Sequence, residues 1–249
     1  MSGRILPGAK TAMVLAAGLG TRMRPLTDTL PKALVPVAGK ALIDHMLDRL
    51  RDAGVERAVV NVHHFADQME AHLAKRSDME VLISDERAGL LDSGGGIKHA
   101  ADKLGRDPIF VANIDSLWLE GQRPALEALK AAWDPAAMGI LLLLVARGQG
   151  IGFEGPQGFF RDAATGRLTH STAATPPTPF ANMGVAILDP SVLDEEPDGA
   201  FSIIPTWHRL QRQGRLHGVP MDGYWMHVGD PAARDATEAR LLDPEGGTR

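Results

Sequence analysis

The chain is expected to fold as an α/β protein of three layers, helices covering both faces of a mainly parallel, mixed sheet, with a small hairpin lobe inserted late. Three observations carry this. Short apolar runs alternate with amphipathic stretches from residue 11 to residue 146, the rhythm of strand–helix units around a sheet buried on both faces. Glycines follow the first apolar run directly, where such a sheet places its ligand crevice. After residue 146 the rhythm gives way to a stretch rich in Gly, Pro and Thr.

Taken in order, residues 11–16 read as the first strand, ending in Gly18-Leu19-Gly20, and a polar loop with Pro25, Pro31 and Pro36 follows. Leu42, Ile43, Met46, Leu47 and Leu50 keep helical spacing over residues 41–53, and Gly54 stops that helix. Residues 57–62 read as a buried strand, 65–75 as a helix and 79–84 as a strand. The glycine triplet 94–96 is expected to open a helix running to about residue 104, before a strand at 109–113 and a helix at 123–133. Residues 140–146 are apolar enough for the centre of the sheet. Residues 147–180 are expected to form a hairpin or lobe over a site, with strand candidates at 159–160 and 167–170. Residues 185–188 return to the sheet, and helices are expected at 203–213 and 232–242. The architecture is Rossmann-like: one domain over residues 11–249 behind a loose leader, residues 1–10.

Composition narrows the function. Of 249 residues 44% are hydrophobic and 23% charged, as in ordinary globular proteins. Cysteine is absent, which removes disulfides, thiolate metal sites and a Cys nucleophile and fits a cytoplasmic location. The net charge of −5 argues against a general nucleic-acid binder. With 5% aromatics and Tyr224 as the single tyrosine, a base-stacking platform is not expected either. No apolar run has the length of a membrane span.

The chemistry concentrates after the first strand, in the run from Ala16 and Ala17 through Gly18, Gly20, Thr21, Arg22 and Arg24, and then at Pro31-Lys32. Glycines there let backbone N–H groups converge on an anion, and small Ala16 and Ala17 let a flat base or sugar approach the strand end. Arg22, Arg24 and Lys32 add fixed positive charge suited to phosphate oxygens. Met23 stands where a dinucleotide fingerprint needs its third glycine, and no Gly-Lys-Ser/Thr phosphate loop occurs.

Gly18, Gly20, Thr21, Arg22, Pro25, Leu26, Thr27, Pro31 and Lys32 match a known signature, and the chain resembles the sugar-1-phosphate nucleotidyltransferases over nearly its whole length. Within that family its compact size and the run Leu91-Asp92-Ser93-Gly94-Gly95-Gly96 look most like the N-acetylmuramic acid α-1-phosphate uridylyltransferases, with mannose-1-phosphate guanylyltransferases as near neighbours. The resemblance implies that a sugar 1-phosphate attacks the α-phosphorus of a nucleoside triphosphate, the expected partners being UTP and N-acetylmuramic acid 1-phosphate, and that pyrophosphate leaves. It implies Arg22 on the pyrophosphate side, Lys32 near the α-phosphate, and nucleotide contacts at Ala16, Ala17, Gly18, Gly20, Thr21, Gly94 and Gly95. Asp115, after the strand at 109–113, is the expected Mg²⁺ ligand, and Asn182 with Gly184 the expected sugar contacts. Asn182 reads equally well as a turn residue.

One position departs from the family. Its members carry Trp-x-Asp-x-Gly-Thr where this chain reads Trp225-Met226-His227-Val228-Gly229-Asp230. Three readings stand side by side: His227 ligates a softer ion such as Mn²⁺ or meets phosphate directly, Asp230 serves from the neighbouring turn, or the site is weakened and the protein is a nucleotide-sugar-binding pseudoenzyme or regulatory subunit. Residues 151–170 lack the Glu-Lys-Pro pattern of many members, so no second lysine is assigned. His63 and His64 are expected to be a polar strand end, Met13, Met46 and Met69 core filler, and Trp118, Trp133 and Trp207 packing residues. A monomer or simple homodimer is expected.

Overall fold

A computed structural model describes residues 9–153, 157–172 and 177–243. In chain order the elements are β1 (Thr11–Leu15), β2 (Pro36–Val37), β3 (Lys40–Ala41), α1 (Leu42–Asp52), β4 (Arg57–Val62), α2 (Ala66–Leu73), β5 (Glu80–Asp85), α3 (Asp92–His99), α4 (Ala101–Leu104), β6 (Ile109–Asn113), β7 (Ser116–Glu120) and α5 (Ala125–Ala132). They continue with β8 (Ile140–Ala146), β9 (Gly150–Ile151), β10 (Gly158–Arg161), β11 (Leu168–Ser171), β12 (Phe180–Leu188), α6 (Ile204–Arg212), β13 (Leu216–Pro220), β14 (Gly223–His227) and α7 (Pro231–Leu242).

The central sheet is mixed and mainly parallel. β5, β4, β1 and β6 lie side by side in parallel, and β8 pairs in parallel with β13. Between these two groups runs β12, antiparallel to β6 and to β8. The apolar runs are explained by burial on both faces. On β1, Ala12 and Val14 join one core cluster while Met13 joins the other. On β8, Leu141, Leu143 and Val145 alternate in the same way with Ile140, Leu142 and Leu144. α1 buries Leu42, Ile43, Met46, Leu47 and Leu50 against the first cluster, and Met13, Met46 and Met69 are core residues as expected.

Several expectations need correction. β8 lies between β12 and β13, one strand from the edge rather than at the centre. The glycine triplet does not open a helix but sits inside α3, which starts at Asp92. The late lobe is a β10–β11 hairpin that extends the sheet from Phe180 of β12, and β11 lies against α6, with His170 beside Trp207 and His208. Parts of that lobe and residues 1–8 of the expected leader lie outside the described residues. Lys10 is not loose: its side chain pairs with Glu56 at 2.6 Å and its carbonyl accepts from Glu56 and Arg57.

A small second sheet, β7–β14–β9, was not anticipated. Trp118 and Trp225 face each other across its β7–β14 pair, and Trp118 is fully buried, with the Arg49 guanidinium 4.1 Å above its ring and Nε1 donating to Glu120 at 2.7 Å. Trp118→Ala is expected to cost about 3–5 kcal/mol, read as a lower urea midpoint with an unchanged slope.

Candidate active site

The strand ends of β1 and β6 open onto a cleft of about 410 Å³, lined by residues 15–22 (apart from Ala17) together with Lys32, Leu90, residues 113–115 and Gly229. The loop after β1 owes its shape to a few contacts. Asn61 on β4 accepts the N–H of Ala16 at 2.7 Å, and the buried Thr27 hydroxyl donates to the Gly20 carbonyl at 2.8 Å. Gly20 has φ +63°, and a Cβ there would sit 2.9 Å from Cβ of Lys32. Glycine is therefore required for the loop to bring Lys32 alongside. Gly18 differs: a Cβ there would meet nothing within 4 Å, so its backbone stands open to the cleft.

Lys32 and Asp115, far apart in sequence, meet at 2.6 Å with both side chains mostly buried. Nδ1 of His227, at the end of β14, lies 3.8 Å from the other carboxylate oxygen of Asp115. The N–H of Val228 donates to the Asp115 carbonyl at 2.8 Å, Trp225 Nε1 donates to the Ser116 hydroxyl at 2.7 Å, and that hydroxyl donates to the Met183 carbonyl on β12, so the two sheets are tied at this corner. Burial above all, with the charges of Lys32 and Arg22 behind it, holds the His227 imidazole below its ordinary pKa against the opposing pull of Asp115. Arg22 is exposed, lines the cleft and makes no ion pair among the described residues.

Other expected site residues fall elsewhere. Asp230 caps α7, its carboxylate accepting from Ala233 N–H at 2.8 Å. Gly94 and Gly95 are buried, and both their N–H groups donate to the Phe201 carbonyl at 3.0 Å. Their Cβ positions are filled by Phe201 and Gly199, so the triplet serves close packing of the 199–201 segment. The α3 residues lining an adjoining cavity of about 340 Å³ are instead Asp92 and Ser93, together with Ala17, Gly18, Asn61 and Leu90. Asn182 and Gly184 line a third cavity of about 200 Å³ that shares Leu15 and Asn113 with the cleft. There Asn182 Oδ1 accepts from Gly184 N–H at 3.0 Å, at the point where the β12–β8 register shifts.

Gly184 has φ +74°, and a Cβ on it would lie 2.6 Å from Nδ2 of Asn113. Gly184→Ala is expected to cost about 1–3 kcal/mol through the left-handed backbone. Displacement of Asn113 is expected to raise the KM of the substrate occupying that cavity. Denaturant melts and steady-state kinetics check the two effects separately.

Sequence reading missed Asn61, Asn113 and Glu86. The signal for Asn61 was present, as a lone amide inside the otherwise apolar run Ala58–Val62.

A mainly parallel sheet that ends in an open glycine loop, ringed by Arg22, Lys32 and Asp115, defines a nucleotidyl-transferring enzyme. A family model described as the MobA-like NTP transferase domain matches residues 12–151. The chain is 53% identical over 238 residues to the N-acetylmuramate alpha-1-phosphate uridylyltransferase of Caulobacter vibrioides, covering 94% of this chain and 98% of that protein. It is 34% identical to the Neisseria meningitidis protein of the same name, over 88% of this chain and 92% of that one. Among solved structures, the T. maritima inositol-1-phosphate CTP transferase shares the fold with a TM-score of 0.77 at 17% identity, over 96% of this chain and 98% of that one. The chain belongs to the MobA-like NTP transferase family, among its sugar-1-phosphate nucleotidyltransferases.

Proposed function

We propose that the protein transfers the uridylyl group of UTP to N-acetylmuramic acid α-1-phosphate, forming the UDP-sugar and releasing pyrophosphate, in the recycling of peptidoglycan sugars. The observation that carries the reading is the cleft in which the open Gly18 backbone, Arg22 and the Lys32–Asp115 pair converge. The uridylyltransferases named above, which the chain matches almost end to end, support the choice of base and sugar.

A phosphate oxygen of the sugar 1-phosphate forms the new bond to the α-phosphorus, and the bond from that phosphorus to the bridging oxygen of pyrophosphate breaks. No side chain is consumed, so the protein's part is positioning and charge neutralisation. Gly18 admits the phosphates to the backbone. Lys32, held by Asp115, places a fixed ammonium beside the reacting phosphorus. Arg22, unpaired by protein carboxylates among the described residues, is free to take the oxygens of the leaving pyrophosphate.

Asp115 and His227 also fit a divalent cation. A carboxylate and an imidazole kept neutral by burial converge there, and no set of three acidic, His or Cys donors exists among the described residues. Phosphate oxygens would complete such a shell, as is usual for Mg²⁺. Bound there, the ion supplies neutralisation of phosphate charge. The imidazole donor suits Mn²⁺ better than Mg²⁺. His227→Asp is expected to move the ratio of Mn²⁺- to Mg²⁺-supported kcat toward Mg²⁺ by about tenfold. An unchanged ratio would remove His227 from the ligand set.

The function itself is tested by pyrophosphate release with UTP, GTP, CTP, ATP and dTTP against a panel of sugar 1-phosphates, each with Mg²⁺ and with Mn²⁺. Turnover with UTP and N-acetylmuramic acid 1-phosphate is expected. Turnover with GTP and mannose 1-phosphate would keep the mechanism and change the substrate. Nucleotide binding without turnover would make the protein a binding subunit.

A further inference from the structure

We propose that Asn61 and Glu86 form a buried amide–carboxylate clasp that holds the two walls of the nucleotide pocket in register; both act as positioning residues. Asn61 lies on β4 and Glu86 just beyond β5, and both are almost fully buried. Oδ1 of Asn61 accepts the N–H of Ala16 at 2.7 Å and of Ala17 at 3.3 Å, while its Nδ2 donates to Oε1 of Glu86 at 2.8 Å. Oε2 of Glu86 accepts the N–H of Leu91 at 3.1 Å. The clasp thus runs from the start of the glycine loop to the residue that precedes α3, and the cavity between those segments is lined by Ala17, Gly18, Leu90, Asp92 and Ser93.

Two features argue that the clasp serves the pocket. Glu86 makes no ion pair among the described residues and is met by N–H donors alone, one from the Asn61 side chain and one from the Leu91 backbone, an expensive use of a buried carboxylate, since burying one is costly without strong partners. The third glycine of the triplet also makes room for it. A Cβ on Gly96 would lie 2.8 Å from Glu86 Oε1 and 3.0 Å from Asn61 Nδ2. A helix glycine at a propensity cost is thereby tied to the clasp.

The inference rests on the nucleotidyltransferase reading, and its test is an exchange of the two functional groups. In Asn61→Asp two carboxylates face each other. In Glu86→Gln the new amide meets either the Asn61 amide or the Leu91 N–H as donor against donor. The double variant restores every bond: Asp at 61 accepts from Ala16, Ala17 and the Gln amide, and Gln Oε1 at 86 accepts from Leu91. UTP affinity by calorimetry, steady-state KM and kcat, and melting temperature are measured for the full chain and all three variants.

Each single change is expected to weaken UTP binding and raise its KM by about tenfold or more, with kcat changed far less, as befits an unpaired buried polar group. The double variant is expected to return within about threefold of the parent, well inside a one-decade (1.4 kcal/mol) change. Single variants that melt lower but bind UTP as the parent does would overturn the proposal. So would a double variant that fails to fold or to recover affinity, because the exchange preserves every bond invoked. A parent that binds GTP and not UTP would sink the uridylyl reading alone, and the same cycle run with GTP would still decide the clasp. A parent that binds no nucleotide would overturn both.

Discussion

Arg22→Ala is expected to lower kcat by about a thousandfold, the lower end of what a single transition-state arginine contributes in phosphoryl transfer. The effect on stability should be small. Arg22 is exposed and makes no ion pair among the described residues, and the turn that carries it is held by the Met23 N–H donating to the Gly20 carbonyl at 2.9 Å. A rate loss with an unchanged melting temperature separates a chemical role from a structural one. Arg22→Lys is expected to recover only part of the rate, because an ammonium cannot hold two phosphate oxygens in a planar fork. Single-turnover pyrophosphate release checks both variants, and a rate for Arg22→Ala within tenfold of the parent would remove it from the mechanism.

Asp115→Ala is expected to be at least as damaging to turnover, about a thousandfold in kcat/KM, with loss of the response to added Mg²⁺ or Mn²⁺. The carboxylate has two partners in the cleft, Lys32 at 2.6 Å and His227 at 3.8 Å, so its removal frees the lysine and leaves the imidazole as the lone donor. Stability should fall less than the contact distance suggests, since the attraction within a mostly buried pair is offset by the desolvation of both charges. A metal titration of the variant is the deciding measurement. Retained stimulation by the metal would place the ion elsewhere.

Much of the fold was readable because burial on both faces leaves a strong local mark. β4 and β8 appear in the chain as near-continuous apolar runs, and β1 and β6, side by side in the same sheet, as shorter ones. The stretches that escaped notice, β7, β13 and β14, are short and mixed in polarity. Ser116, His217, Gly218 and Gly223 interrupt any period of two, and their partners come from distant parts of the chain. The triplet at Gly94–Gly96 misled in another way. Consecutive glycines read as the opening of a helix that approaches the nucleotide, yet inside α3 they let Phe201, Gly199 and the Asn61–Glu86 pair approach the helix. Asp230, read as a metal candidate from its place beside His227, is an N-cap, a role that an Asp before a proline and a helix could have suggested.

The line of residues alone was enough for the layered α/β architecture and for singling out the glycine loop together with Arg22, Lys32 and Asp115, which line one cleft, because these depend on short-range pattern and on the chemistry of side-chain types. Its likeness to the nucleotidyltransferases rested on that loop together with later landmarks such as residues 91–96. Which groups meet was settled by the folded chain. The 2.6 Å Lys32–Asp115 pair, the turn of His227 toward that carboxylate and the clasp from Ala16 through Asn61 and Glu86 to Leu91 each join segments from different strands. Their distances follow from sheet order and from the close approaches that Gly20, Gly96 and Gly184 permit, and packing of that kind is a property of the whole chain rather than of any local stretch.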